Sequence, residues 1–234
     1  MAQKLPVGRH IAQRRCTGGR GRRAVPMWVL TYALGVTGDT GSERPRIAVY
    51  CASRVGEDPT YARVASAVGS RIAELGADLV FGGGSIGLMG KVADAALDGG
   101  SHVIGVITEQ LRDKEIAHHG STELRIVADM PARKQQMYAA ADAFCTLPGG
   151  IGTMEEFFEV LTWGYLGLHP KPMALVNTSG YYDPLLAFLD HAIDKGLCRP
   201  VVKELLVVGK DEHVVDQLVS ATRDTAGEHR MGGI

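Results

Sequence analysis

Between residues 45 and 223, short, nearly unbroken apolar runs alternate with longer segments in which apolar residues recur every three or four positions. The runs cover residues 47–51, 78–81, 102–107, 124–128, 143–147, 173–177 and 205–208, with polar residues only at Asp78, His102, Arg125, Thr146 and Asn177. A run apolar at nearly every position, such as Ile47 to Cys51, predicts a strand covered on both faces, as in parallel sheets. The longer segments predict helices. The one opened by Pro59 sets Tyr61, Val64, Ala65, Val68, Ile72 and Leu75 on one stripe and ends at Gly76, a natural C-cap. Others are expected after the glycines at 82–90 and over residues 130–141, 157–168, 184–195 and 212–222. Strand and helix in regular alternation predict an α/β fold, a single-domain, doubly wound parallel sheet over residues 45–223. The polar residues 224–234 are expected to be a frayed tail.

Two of the strand-to-helix junctions are rich in glycine. One is Leu147-Pro148-Gly149-Gly150-Ile151-Gly152-Thr153-Met154-Glu155-Glu156, the other Gly82-Gly83-Gly84-Ser85-Ile86-Gly87-Leu88-Met89-Gly90. Glycines let backbone N–H groups approach a ligand, and a helix N-terminus adds open donors and partial positive charge. Each junction is therefore a candidate phosphate cradle. In the first, Thr153 and Glu156 are also spaced as a capping box, so the acids could simply start a helix. The sharper reading has the loop hold a phosphate while a carboxylate faces a sugar. In the second, Gly82, Gly84 and Gly87 satisfy GxGxxG, which keeps dinucleotide binding open as a lesser option, with Glu109 near the required distance. Ser53 lies at the carboxyl end of the first strand, where a parallel sheet carries its ligand crevice. Arg133-Lys134 near the start of a helix oppose its dipole, a conflict that a bound phosphate or carboxylate would remove.

Composition narrows the choice. The chain has 234 residues, 45% hydrophobic and 22% charged, with net charge -1. That is ordinary for a globular protein and gives no reason to expect nucleic acid or a membrane as partner. The four cysteines, Cys16, Cys51, Cys145 and Cys198, form no CxxC pair and read as small residues in a reducing compartment, hence a cytoplasmic expectation. Residues 1–44 differ from the rest. Seven basic residues precede the first acid, Asp39, and an apolar run at 24–36 is too short to span a membrane. The expectation is an extension outside the fold, disordered or non-native, with an export signal as the lesser reading. The polar segment 108–121 has the length of a specificity loop. Its His118-His119 pair lacks further ligands at zinc-like spacing and reads as solvated, so no metal site is expected.

The junction motif PGGxGTxxE from Pro148 to Glu156, the preceding Arg133-Lys134, the run from Gly82 to Gly90 and the stretch Thr162-Trp163-Gly164-Tyr165-Leu166-Gly167-Leu168-His169 together resemble the Lonely Guy (LOG) family of cytokinin riboside 5'-monophosphate phosphoribohydrolases. The likeness covers residues 45–219. It implies a Rossmann-like fold, a homodimer or larger oligomer, and no metal or redox cofactor. The implied reaction is hydrolysis of the N-glycosidic bond of a nucleoside 5'-monophosphate, such as isopentenyladenosine monophosphate or AMP, to free base and ribose 5-phosphate. The motifs put the catalytic pair on Arg133 and Glu156. Substrate and phosphate contacts fall on Ser53, Gly83, Gly84, Met89, Glu115, Lys134, Gly149, Gly150, Ile151, Gly152, Thr153, Glu155 and Thr162. Only motif spacing, not physics, ranks Glu156 above Glu155. Such sequences are often labelled lysine decarboxylases, but no lysine here stands out for a pyridoxal phosphate Schiff base. The competing readings are a nucleotide or molybdopterin-type carrier on the same fold, which would need no acid at the sugar, and an NAD-dependent enzyme using residues 82–87.

Overall fold

The computed structural model describes residues 44–112 and 117–231, with residues 224–231 described by their backbone alone. Continuous apolar runs become strands β1 (Arg46–Tyr50), β2 (Asp78–Phe81), β3 (Val103–Thr108), β4 (Glu123–Val127), β5 (Ala143–Thr146), β6 (Met173–Val176) and β7 (Leu206–Gly209). Each agrees with its predicted run to within one residue at either end. The helices between them are α1 (Pro59–Glu74), α2 (Gly87–Asp98), α3 (Glu109–Arg112), α4 (Met130–Ala140), α5 (Ile151–Tyr165), α6 (Asp183–Asp194), α7 (Val201–Glu204) and α8 (Val214–Met231).

The strands form one sheet in the order β4-β3-β2-β1-β5-β6-β7, and every neighbouring pair is parallel. The chain works outward from β1 to β4, then returns to place β5 against the other edge of β1. The strand order therefore reverses between β1 and β5, and the carboxyl ends of those two strands flank the crevice that a doubly wound sheet offers to ligands. Alternate residues of the central strands face opposite layers. Ile47 and Val49 pack with Val68 and Ile72 of α1, Val92 of α2 and Leu218 of α8. Ala48 and Tyr50 pack with Met137 of α4, Phe157 and Leu161 of α5 and Tyr182. Both faces of the central strands are covered, which explains why these carry no polar alternation, while the edge strands β4 and β7 are partly exposed.

Helix α5 departs from expectation. It starts at Ile151 rather than residue 157, and burial of Thr153, Glu156 and Phe157 outweighs the poor helix propensity of Gly152. Its N-cap is Gly150, no side chain caps it, and no acid lies in its first turn. The capping-box reading of Thr153 and Glu156 is thus wrong. Helix α8 continues to Met231, past the Asp224 boundary expected for a frayed tail. Arg44 belongs to the fold: its guanidinium donates to the carbonyls of Gly76 and Ala77 and pairs with Asp78. The rest of the expected extension, residues 1–43, lies outside the described residues.

Candidate active site

The turn after β1 is pinned from both sides. Ala52 N donates to Pro148 O at 3.2 Å, and Leu88 N donates to Ala52 O at 3.0 Å. This ties the end of β1 to the junction after β5 and to the start of α2. A cavity of about 550 Å³ opens between them. Its walls include Ser53 and Arg54 from the β1 turn, Gly150, Ile151, Gly152 and Thr153 from the start of α5, and Gly82 and Met89 from the β2–α2 region. Arg133 and Glu156 complete it.

Arg133 is 5% exposed, and the sequence alone gave no reason to bury it. The end of β3 and the residue after β2 hold it: Nε donates to Val106 O at 3.0 Å and Nη2 to Gly82 O at 2.9 Å. Its Nη1 lies 3.9 Å from Glu156 Oε1, and Glu156 is 9% exposed. Arg133 follows the first turn of α4, whose N-cap Asp129 accepts from Ala132 N, so the conflict with the helix dipole is milder than the sequence suggests. Burial first, then the nearby Glu156 carboxylate, push the Tyr50 phenol well above its ordinary value, so it stays protonated.

Among the described residues, donors without protein acceptors share the cavity wall with this pair. The uncapped start of α5 leaves leading N–H groups open. Among the described residues, the hydroxyls of Ser53 and Thr153, both in the cavity wall, make no hydrogen bond. Ideal Cβ atoms on Gly150 and Gly152 would meet nothing within 4 Å. Neither has a positive φ. Neither packing nor backbone strain therefore requires glycine there, which is what a ligand-facing position would show.

Several expected site residues are elsewhere. Lys134 and Glu155 pair with each other, Lys134 also reaches Glu159 at 3.0 Å, and none of the three lines the cavity. Partial burial pulls the Lys134 ammonium down, but its bonds to Glu155 and Glu159 outweigh this and hold it above its ordinary value. Thr162 is exposed on the outer side of α5. Gly149 sits behind the loop, its carbonyl accepting from Tyr181 Oη at 2.7 Å. Gly83 and Gly84 are covered by the returning chain, since His118 N donates to Gly83 O at 2.8 Å and Ala117 bridges to Gly84. Glu115 lies outside the described residues. His118 is 7% exposed, not solvated: its ring sits between Asp94 Oδ1 at 3.0 Å and Ser121 Oγ at 3.2 Å, edge-on to Phe81.

The GxGxxG run does not cradle a dinucleotide. The leading N–H of Leu88 is spent on Ala52 O, and a Cβ on Gly87 would run into the backbone of Ser53 and Arg54. Among the described residues no lysine lines the cavity. No group of three or more His, Cys, Asp or Glu side chains there is arranged to hold a metal ion. Arg54 is the charged cavity residue to which sequence reasoning gave no role. Its only signal was its place beside Ser53 at the end of β1.

Comparison with known proteins follows the same lines. Residues 89–218 match a family described as "Possible lysine decarboxylase". The cytokinin riboside 5'-monophosphate phosphoribohydrolase LOG7 of Arabidopsis thaliana is 47% identical over 169 residues, covering 72% of this chain and 78% of the relative. The cytokinin riboside 5'-monophosphate phosphoribohydrolase of Rhodococcoides fascians is 48% identical over 166 residues, covering 70% and 84%. Among solved structures, the molybdenum cofactor binding protein of the phototrophic bacterium Rippkaea orientalis superposes with a TM-score of 0.59 over 76% of this chain and 97% of its own, at 18% identity. That level of identity speaks for a shared fold alone. On the curated relatives and the matched residues, the chain belongs to the Lonely Guy (LOG) family of cytokinin riboside 5'-monophosphate phosphoribohydrolases.

Proposed function

We propose that the cavity hydrolyses the N-glycosidic bond of cytokinin riboside 5'-monophosphates, and of AMP, releasing free base and ribose 5-phosphate. The observation that carries this reading is the buried Arg133–Glu156 pair beside the open start of α5 at the switch point of the sheet. Breaking a glycosidic bond builds positive charge on the sugar ring. Glu156 is the acid in the cavity wall; its carboxylate stabilises that charge and orients or deprotonates the attacking water. A guanidinium is a poor general acid, so the role left to Arg133 is electrostatic. With two of its nitrogens fixed on carbonyls, it presents the third to Glu156 and to negative charge developing on the departing base. The 5'-phosphate lies against the N–H groups and Thr153 hydroxyl at the start of α5. A carrier has no use for a buried acid at the sugar, and only the shared fold speaks for that alternative. Incubation with isopentenyladenosine monophosphate and with AMP should release free base and ribose 5-phosphate; intact nucleotide after prolonged incubation would refute the reading.

We also place the working form as a homodimer. Along one side of α5, Ile151 (91% exposed), Phe158 and Leu166 (59% exposed) stand uncovered, and Ile151 is at the same time part of the cavity wall. An apolar stripe that begins at the cavity mouth is suited to a second copy. Thr162 lies on this stripe and would meet substrate only across such an interface. Light scattering at micromolar concentration should give twice the chain mass. Among the described residues no helix is long and apolar enough to cross a membrane. Among the described residues Cys145 and Cys198 are free thiols, which supports a reducing, cytoplasmic setting.

A further inference from the structure

A phosphate monoester brings roughly -1.5 to -2 charges into the cavity at neutral pH. Arg133 cannot answer them. Two of its nitrogens are committed to the carbonyls of Val106 and Gly82, and the third faces the Glu156 carboxylate. As a unit, that pair is close to neutral. Lys134 lies outside the cavity wall and is engaged by Glu155 and Glu159.

One cation in the wall is uncommitted. Arg54 makes no hydrogen bond or ion pair among the described residues. It lines both the main cavity and an adjoining annex of about 120 Å³, which is walled by Tyr61, Tyr181 and Gly149. Its backbone is fixed while its side chain is exposed. The neighbouring Ala52 is bonded to Pro148 and Leu88, and the missing Cβ of Gly87 lets α2 press against the Ser53–Arg54 peptide. Across the cavity stand the open N–H groups of α5 and the Thr153 hydroxyl, on this side the Ser53 hydroxyl.

We infer that Arg54 is the cation that binds the 5'-phosphate of the substrate and thereby selects nucleotides over nucleosides. The inference rests on the phosphoribohydrolase reading for its ligand. A guanidinium offers paired N–H donors that match two phosphate oxygens, and it stays charged throughout the working range. Helix-terminal N–H groups alone would hold the phosphate in place but leave most of its charge unbalanced.

The test compares wild type, Arg54→Ala and Arg54→Lys by calorimetry with ribose 5-phosphate, and by steady-state hydrolysis of AMP and adenosine. Arg54→Ala should weaken ribose 5-phosphate binding at least about tenfold, the scale of a lost charge-assisted hydrogen bond. It should raise KM for AMP more than it lowers kcat and leave any slow adenosine cleavage as it was. Arg54→Lys should recover part of the affinity. Because Arg54 is exposed and has no partner among the described residues, the melting temperature should not move, which separates lost binding from lost folding. Unchanged ribose 5-phosphate affinity in Arg54→Ala, or equal losses for AMP and adenosine, would overturn the assignment. Arg54-dependent binding in a wild-type protein that hydrolyses no nucleotide would keep Arg54 as the phosphate ligand and remove the hydrolase. Hydrolysis untouched by Arg54→Ala would do the reverse.

Discussion

The two glycine-rich junctions look alike in sequence and differ in what the glycines are for. At the β2–α2 junction the missing side chains admit other protein. A Cβ on Gly82 would strike the Arg133 guanidinium, one on Gly87 the Ser53–Arg54 backbone, and one on Gly90 the Ser85 carbonyl. The carbonyls of Gly82 and Gly83 are likewise occupied, by Arg133 and by His118 N–H. At the β5–α5 junction Gly150 and Gly152 face empty space, and the helix start is left uncapped. A glycine whose Cβ would strike the protein is needed for packing; Gly150 and Gly152, with neither a clash nor a positive φ to require them, stand open to the cavity. The first junction fixes Arg133 and the β1 turn, and the second is left open at the cavity, where the proposed function seats the substrate.

The largest expected effect tests the open junction. Glu156→Gln removes the charge proposed to face the sugar and should lower kcat at least about a hundredfold, the usual scale for such a group, with ribose 5-phosphate affinity retained. Glu155→Gln shares the helix but loses only an outer pair with Lys134, so its turnover should stay within a few-fold of wild type. The reverse ranking in a kinetic comparison would show that the wrong carboxylate has been chosen.

A pair of matched substitutions then sets the junctions against each other. Gly90→Ala forces a methyl against the Ser85 carbonyl and should cost roughly 1–3 kcal/mol of stability, a fall of several degrees in Tm. Gly152→Ala meets no protein atom, and alanine is the better helix former, so Tm should hold or rise while ribose 5-phosphate affinity drops. If thermal melts and calorimetry showed the opposite pattern, the division of roles between the junctions would fail. Gly82→Ala is milder and probes the point where the closed junction meets the site. The guanidinium end of Arg133 would have to give way, shifting it relative to Glu156. Turnover should fall about tenfold, in keeping with loss of alignment in the proposed catalytic pair, and Tm should fall as well, because the buried guanidinium gives up its bond to the Gly82 carbonyl.

How much of this was readable beforehand follows from what sequence pattern reports. Unbroken apolar runs report burial on both faces, so the parallel sheet and its strand limits were legible, and with them Ser53 and the residues from Gly150 to Thr153 as crevice residues. Pattern does not report partners. Arg133 and Lys134 are adjacent cations, yet one is buried on two carbonyls and the other tied to Glu155 and Glu159 at the outside. His118 was expected to be solvated because a histidine beside another polar residue carries no sign of the Asp94 and Phe81 that enclose it. The start of α5 was put six residues too late because glycine at 152 hides a helix that tertiary burial supports.

The smallest effect belongs to a titratable group that, unlike Arg133, should matter to folding alone. Lys171 precedes β6, at the amino end of the sheet, opposite the cavity. Its Nζ donates to Tyr138 O at 2.7 Å and lies 4.1 Å from the centre of the Tyr138 ring. Burial pushes its ammonium down to about 8, against the pull of Asp142. In the unfolded chain the same group titrates near its ordinary value of roughly 10.4. Between those two values the unfolded state holds more protons than the folded one, so stability rises with pH across that window. The contribution is complete above the unfolded value and lost as pH falls through about 8. The carbonyl and the ring both favour the charged form, which keeps the effect on the order of 1 kcal/mol, a few degrees of Tm. Lys171→Met keeps the contact with the aromatic face and removes the titration. Melts from pH 7 to 10.5 should show the wild type gaining on Lys171→Met, while both turn over AMP at equal rates wherever both are folded. A loss of turnover in Lys171→Met would mean that the closed end of the sheet reaches the site, and that the separation between packing and ligand regions is less complete than the glycines imply.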